Sequence, residues 1–314
     1  MHLQIPSDAL EDLVCLRVGG DRLSAAMQVD RLVVHFPATD RWRGKNCPLN
    51  EPQGEGQRGQ EDGEREAVTE RFRSMQFEIE GLGYPSYMEA FQENGGVVEE
   101  FLSGEEVHSP SVQLRNSPLG EVEILSTHDQ LLGGPSGQTF LGAVFPARQA
   151  YLALITRDAQ KIGERLAREG VIGRYAVDFL VIRKPGGAWH SYAIEINLRK
   201  GGTTTPYLTL QYLTRGQYDP ESGLFQTLRG QEKYYVASDH IESEAYRQYT
   251  PLDLFDLLSA NRLHFDHAGQ TGIVLHMMSG VGTYGSVGVT AIDNSPAEAQ
   301  ALYQTFQDVL DRGT

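Results

Sequence analysis

The chain has 314 residues, 40% of them hydrophobic, and a net charge of −15, with a pI near 5.0. That balance excludes the basic footprint of a nucleic-acid binder and opposes binding to anionic membranes, and no apolar run approaches the ~20 residues a spanning helix needs. Cys15 and Cys47 are the only cysteines, too few for a disulfide framework or a four-thiolate metal site; no basic-then-apolar leader is evident, and a cytoplasmic location is expected.

In chain order, Val29 to Phe36 reads as a strand and 37–46 as a loop. Residues 51–66 hold no apolar side chain except Pro52, so they bury nothing and read as a loop or linker. Pro85 to Glu93 is an expected helix with Tyr87, Met88 and Phe91 on one side, stopped by Asn94-Gly95-Gly96. Val97 to Leu102 is a short strand. Ser111 to Asn116 and Gly120 to Ser126 form a hairpin in which alternation sets Gln113 and Arg115 on one face. Arg115 is placed to reach a phosphate. His128 and Asp129 then stand side by side at the expected strand end, either as an acid–base pair or as a hydrogen-bonded structural pair. A loop with Gly133, Gly134 and Gly137 follows. Tyr151 to Glu169 is an amphipathic helix with Leu152, Ile155, Ala159, Ile162 and Leu166 inward, and Arg157, Asp158, Lys161, Glu164, Arg165 and Arg168 mostly solvated.

The most informative stretch is Gly173 to Thr205. Tyr175–Ile182 and Trp189–Ile196 are strands, and Lys184-Pro185-Gly186-Gly187 is turn chemistry. With Gly186-Gly187 as the two central turn residues, Asp178 falls opposite Glu195, and Asn197 points the same way. Two carboxylates that close repel unless a cation lies between them. Asp, Glu and Asn make an all-oxygen set suited to Mg²⁺ or Mn²⁺. A solvated polar face is the alternative; the presence of Ala176, Leu180, Ile182 and Ala193 on that face argues for burial and the metal. Arg199, Lys200, Gly201, Gly202 and Thr203–Thr205 then form an anion cradle, unless the two cations simply neutralise Asp178 and Glu195. Tyr207 to Leu213 continues as helix or strand, and 214–232 as a polar loop.

Tyr234 to Ser238 is a strand leading to Asp239-His240. Pro251 to Ala260 is a helix with Thr250-Pro251 at its start. His264 and His267, with His276 further on, offer a rival zinc set for a metallohydrolase. Gly272 to Met278 is a buried strand, Gly280 to Gly285 a turn, and Ser286 to Ile292 pairs back. Ser295-Pro296 caps a last helix, 297–311, with Ala301, Leu302, Phe306, Val309 and Leu310 inward.

Asp178 followed by Glu195-Ile196-Asn197-Leu198-Arg199 resembles the metal-binding core of the ATP-grasp superfamily. The runs SPSVQLRNSPLGEVEILSTHDQLLGGPSGQ (109–138), YAIEINLRKGGTTTPYLTLQYLTRGQYD (192–219) and HMMSGVGTYGSVGVTAI (276–292) resemble its peptide ligases of the pheganomycin type. These are carboxylate–amine ligases. The resemblance implies an α+β ATP-grasp fold with mixed or antiparallel sheets flanked by helices, two lobes and ATP between them. The small lobe would be 1–102, partial or degenerate, and the large lobe 103–314. It further implies that Glu99, Glu100, Phe101 and Leu102 are the hinge reading adenine, that Glu106 takes the ribose hydroxyls, and that Arg199 steadies the acyl phosphate. His35 stands where the family has a strand lysine, and neither Arg43–Asn46 nor Gly54–Gln57 makes a good phosphate loop, so the sequence reads as a ligase that starts late.

The expectation is therefore an ATP- and Mg²⁺-dependent ligase joining a small-molecule or peptide carboxylate to an amine. Asp178, Glu195 and Asn197 would hold metal. Arg199 and Lys200 would be catalytic. The alternative is a nucleotide-binding remnant or partner subunit of such a ligase.

Overall fold

A computed structural model describes residues 83–94, 102–134 and 139–313. The strand expected at 29–36, the linker at 51–66, His35 and the hinge residues Glu99, Glu100 and Phe101 lie outside the described residues. The chain divides into two compact units. Of the first, residues 83–94, 102–103 and 134 are described, and they include helix α1 (Tyr84–Asn94), whose first turn closes with Tyr87 N–H donating to Gly83 O at 3.0 Å.

The second unit, described at 104–133 and 139–313, is built on one sheet. Its strands are β1 (Glu106–His108), β2 (Pro110–Asn116), β3 (Val122–Gly133), β4 (Thr139–Phe145), β5 (Gly173–Arg183) and β6 (Trp189–Asn197) in the first half. Helix α2 (Leu152–Arg168) intervenes between β4 and β5. After β6 come α3 (Thr204–Thr214) and a separate ribbon of β7 (Gln217–Asp219) and β8 (Leu224–Gln226). Then follow β9 (Tyr234–Glu242), α4 (Pro251–Ala260), β10 (Gly272–His276), the short α5 (Val281–Tyr284), β11 (Ser286–Asp293) and α6 (Pro296–Arg312). The order across the sheet is β6-β5-β2-β3-β4-β9-β11-β10, with β1 continuing β2 along β5. Every pairing between these strands is antiparallel.

One face of the sheet is covered by helices whose apolar stripes are visible in the sequence. Leu152, Ile155, Ala159 and Ile162 of α2 pack on Val112, Leu114, Tyr175, Val177, Phe179 and Val181. Further along, Leu254 and Leu258 of α4 and Phe306, Val309 and Leu310 of α6 cover Ile241, Ile273, Val287, Val289 and Ala291. Each such side chain contributes about 1.5–3 kcal/mol when fully buried, so these rows fix which way every strand faces. Two expected details differ. Asp158 is buried, accepting hydrogen bonds from Ser191 Oγ and, at 3.1 Å, from Arg157 Nε. Ala301 is exposed, and Ala299 takes the buried position.

The opposite face is covered only in part. Tyr207 and Leu210 of α3 close over Leu125, Phe145, Tyr235, Ala237 and Ile292. The polar loop expected over 214–232 contains the β7–β8 ribbon, with Phe225 1% exposed in the same cluster. Toward β5 and β6 this face turns polar.

Candidate active site

The β5–β6 hairpin supplies the polar face. Its loop is one residue longer than a two-residue turn: Lys184 N–H donates to Ala188 O at 3.0 Å, which leaves Pro185, Gly186 and Gly187 between them. Gly186 and Gly187 have φ of 99° and 85°, values that favour glycine. Pairing therefore starts at Arg183↔Trp189, offset by one from the expected register, and runs so to Phe179↔Ala193. There Ile194 is an extra residue, a β-bulge, and pairing resumes at Asp178↔Glu195 and Ala176↔Asn197. The two offsets cancel. Ahead of the bulge Ala193 belongs to the α2 face with Phe179, which corrects its expected place beside Asp178. Beyond it Ile196 packs toward α2, while Glu195 and Asn197 turn to the other face with Asp178. Were Ile194 paired with Asp178 instead of bulged out, Glu195 would face the core.

Asp178, Glu195 and Asn197 thus share one sheet face, all three half-buried. Side chains directly opposite stand about 5 Å apart at Cβ. Asp178 is held on both oxygens: Ser111 Oγ donates to Oδ1 at 2.6 Å and Asn197 Nδ2 to Oδ2 at 3.0 Å. Ser111 and Gln113 come from β2, opposite Asp178 and Ala176. Two carboxylates and an amide oxygen at one half-buried spot form a hard-oxygen donor set that fits a divalent cation of the Mg²⁺ type.

The segment after β6 crosses this face. Arg199 N–H donates to Asn197 O at 2.7 Å, and the Arg199 and Lys200 side chains are exposed. Thr203 precedes α3 without capping it; its Oγ1 accepts from Gln113 Nε2, while Thr204 Oγ1 donates to Gln113 Oε1 at 3.4 Å. Gln113 thereby anchors the loop over β2. Farther across, Gly202 lies against Phe140 and Asp239: a Cβ there would meet Phe140 Cε1 at 3.0 Å and Asp239 Oδ2 at 3.6 Å.

Other expected site residues are not brought to this spot. Glu106 pairs with Arg183, on the α2 face of the sheet, and makes an ion pair with Arg183 Nη2 at 2.7 Å. Strand alternation therefore turns it away from Asp178, contrary to a ribose-binding place beside the trio. Arg115 does share the face of Gln113, but it stands four residues along β2 from Ser111, about 13 Å, and is paired with Glu123. Leu102 lies in the first unit. His128 and Asp129 point to opposite faces and form no acid–base pair. His128 is fully buried with Nε2 at 2.8 Å from Tyr235 Oη, and burial pushes its pKa down to about 3. Asp129 receives Tyr151 Oη at 2.6 Å; burial raises its carboxyl, with the Tyr151 bond and Arg148 opposing. The zinc set is not assembled, since among the described residues no group of three or more His, Cys, Asp or Glu is placed to hold a metal. His264 bridges Ile273, His267 sets its ring edge-on to Phe265, and His276 sits on β10.

Residues 72–221 match the family described as IQCH-like, ATP-grasp, and residues 253–305 match the PGM1 C-terminal domain. Just under half of the chain thus resembles the ATP-grasp family, and the described fold is α+β. Among relatives, it is 30% identical over 233 residues to the L-propargylglycine–L-glutamate ligase of Streptantibioticus cattleyicolor, covering 74% of this chain and 46% of that one. It is 26% identical over 131 residues to the IQ motif-containing protein H of Danio rerio, covering 41% of this chain and 12% of that one. The chain thus spans less than half the length of either. Among solved structures, the L-amino acid ligase from Bacillus licheniformis is 14% identical with a TM-score of 0.43, covering 67% of this chain and 54% of that one.

Proposed function

We propose that this chain carries out ATP-dependent joining of a carboxylate to an amine, with amino acids as the substrate class. The observation that carries the reading is the hard-oxygen trio of Asp178, Glu195 and Asn197, turned to one face by the Ile194 bulge. Support comes from the ATP-grasp match over 72–221 and from a relative named as an amino-acid ligase.

In this reading Asp178, Glu195 and Asn197 hold Mg²⁺, which, when bound, neutralises phosphate charge as transfer proceeds. The chain's own part is positioning. Ser111 and the Asn197 amide fix both oxygens of Asp178, so the carboxylate presents its remaining lone pairs in one direction. Gln113 pins Thr203 and Thr204, which follow Arg199 and Lys200, over β2. Arg199 steadies the transferring phosphoryl oxygens and Lys200 an anionic substrate group. The substrate carboxylate takes the γ-phosphoryl group to form an acyl phosphate, and the amine displaces phosphate from it. Adenine reading by Glu99–Leu102, and a division of the chain into small and large lobes at 102/103, belong to the same proposal; Arg115 would contact phosphate only from a pose reaching along β2.

The test is ADP formation by purified protein with MgATP and a mixture of the twenty amino acids. Wild type is expected to release ADP in proportion to amino acid. Glu195→Gln should lower that rate by about 10²-fold or more while keeping its thermal midpoint. A Glu195→Gln variant with near-normal ATP consumption would remove Glu195 from the site.

A further inference from the structure

The sheet face that carries Asp178 holds a second polar cluster toward its other edge. Asp239 stands on β9 and His276 on β10, with β11 between them. Gly288 of β11 pairs with His276 and sits at the irregularity in the β9–β11 ladder beside Asp239. A Cβ on Gly288 would lie 2.2 Å from Cδ2 and 2.4 Å from Nε2 of His276. The imidazole therefore fills the place of the missing side chain and reaches across β11 toward Asp239. Burial lowers the His276 pKa below the usual imidazole value, and the Asp239 carboxylate opposes the shift. Asp239 Oδ1 is 2.7 Å from His240 Nδ1. Its Oδ2 faces the loop after β6, beside Gly202 and the Phe140 ring. The Asp239 carboxylate thus lies under the loop that carries Arg199 and Lys200, with the His276 imidazole across β11 from it.

We propose that Asp239 and His276 form the acceptor subsite, in which Asp239 takes the ammonium group of the incoming amino acid and His276 accepts its proton. The assignment rests on the ligase reading above. The ammonium gives one proton to His276, and the freed lone pair attacks the acyl-phosphate carbonyl carbon. The C–N bond forms and the C–O bond to phosphate breaks, its electron pair leaving on phosphate. The second amine proton goes to that phosphate, which departs as hydrogen phosphate. Gly288 is a positioning residue, because any side chain there evicts the ring.

Hydroxylamine separates this subsite from the activation step, since it is uncharged at neutral pH and needs neither an ammonium site nor a proton acceptor. Full-length wild type, Asp239→Asn and His276→Gln are each given MgATP and the twenty amino acids, with and without hydroxylamine; amide products and hydroxamates are quantified. Asp239→Asn is expected to lose amide formation about 10- to 100-fold more than hydroxamate formation, chiefly through KM for the amine, as for a lost charged hydrogen bond. His276→Gln should show the same selectivity in kcat. Equal loss of both products in the two folded variants, or amide formation at the wild-type rate in either, overturns the assignment. Wild type that makes hydroxamate but whose variants show no selectivity leaves the ligase reading standing and removes the subsite; wild type that makes neither product overturns both.

Discussion

The proposed metal site turns on Asp178, whose two oxygens are held by neighbouring side chains. Ser111 and Asn197 each donate to one of its oxygens, so loss of Ser111 removes the hold on Oδ1 and leaves the proposed metal-holding side chains in place. Ser111→Ala is expected to weaken Mn²⁺ binding by about 10- to 100-fold, the usual cost of losing a ligand's hydrogen-bond partner, as read by equilibrium titration. Unchanged affinity would show that Asp178 needs no such support. Asp178 and Glu195 were legible in the sequence because hairpin pairing is local. Ser111 was not: β2 meets β5 only after two further strands and a helix, and no local pattern sets that register. Asp239 and Gly288 escaped for the same reason, since the gap that His276 fills is created by pairing between distant strands.

Among elements, the bulge at Ile194 matters most. The expected register reached the right partner by a route the backbone does not take, because a longer loop and an extra residue cancel. The sequence does not announce the bulge; Ala193 and Ile194 are both apolar, and nothing local says which is the extra residue. Phase arithmetic yields a test. Deleting Ile194 leaves Glu195 as the next residue after Ala193, still opposite Asp178, and Mn²⁺ affinity should stay within about tenfold of wild type. Deleting Ala193 and Ile194 together turns Glu195 toward the α2 core, which should abolish binding and cost about 3 kcal/mol or more in urea unfolding, as for an unpaired buried charge. The reverse ranking would refute the facing argument. Helices were more legible: the α2 stripe of Leu152, Ile155, Ala159 and Ile162 follows the helical period and is the buried row. Asp158 was misread because its partner, Ser191, comes from another strand.

At the scale of the whole molecule, the buried imidazole of His128 links stability to pH. Its folded pKa, about 3, lies below the ordinary value of 6.5. Between those values the unfolded chain binds a proton that the native state does not, so stability is full above pH 6.5 and falls as pH drops below it. The slope is at most about 1.4 kcal/mol per pH unit, and His276, also lowered by burial, adds with the same sign. Urea midpoints should fall between pH 7 and 5, and His128→Gln should flatten that fall; an equal slope in the variant would contradict it. The α+β class was expected from the resemblance carried by Asp178 and the Glu195–Arg199 run, and the described strands and helices agree with it. Among the described residues no helix is long and apolar enough to cross a membrane.

The most direct test is Mn²⁺ binding followed by electron paramagnetic resonance, with and without ATP, in wild type, Asp178→Asn and Glu195→Gln. A Mn²⁺ site that tightens with ATP in wild type and is lost in both folded variants is the predicted result. Equal binding in all three proteins would show that nucleotide and metal meet somewhere other than the β5–β6 face.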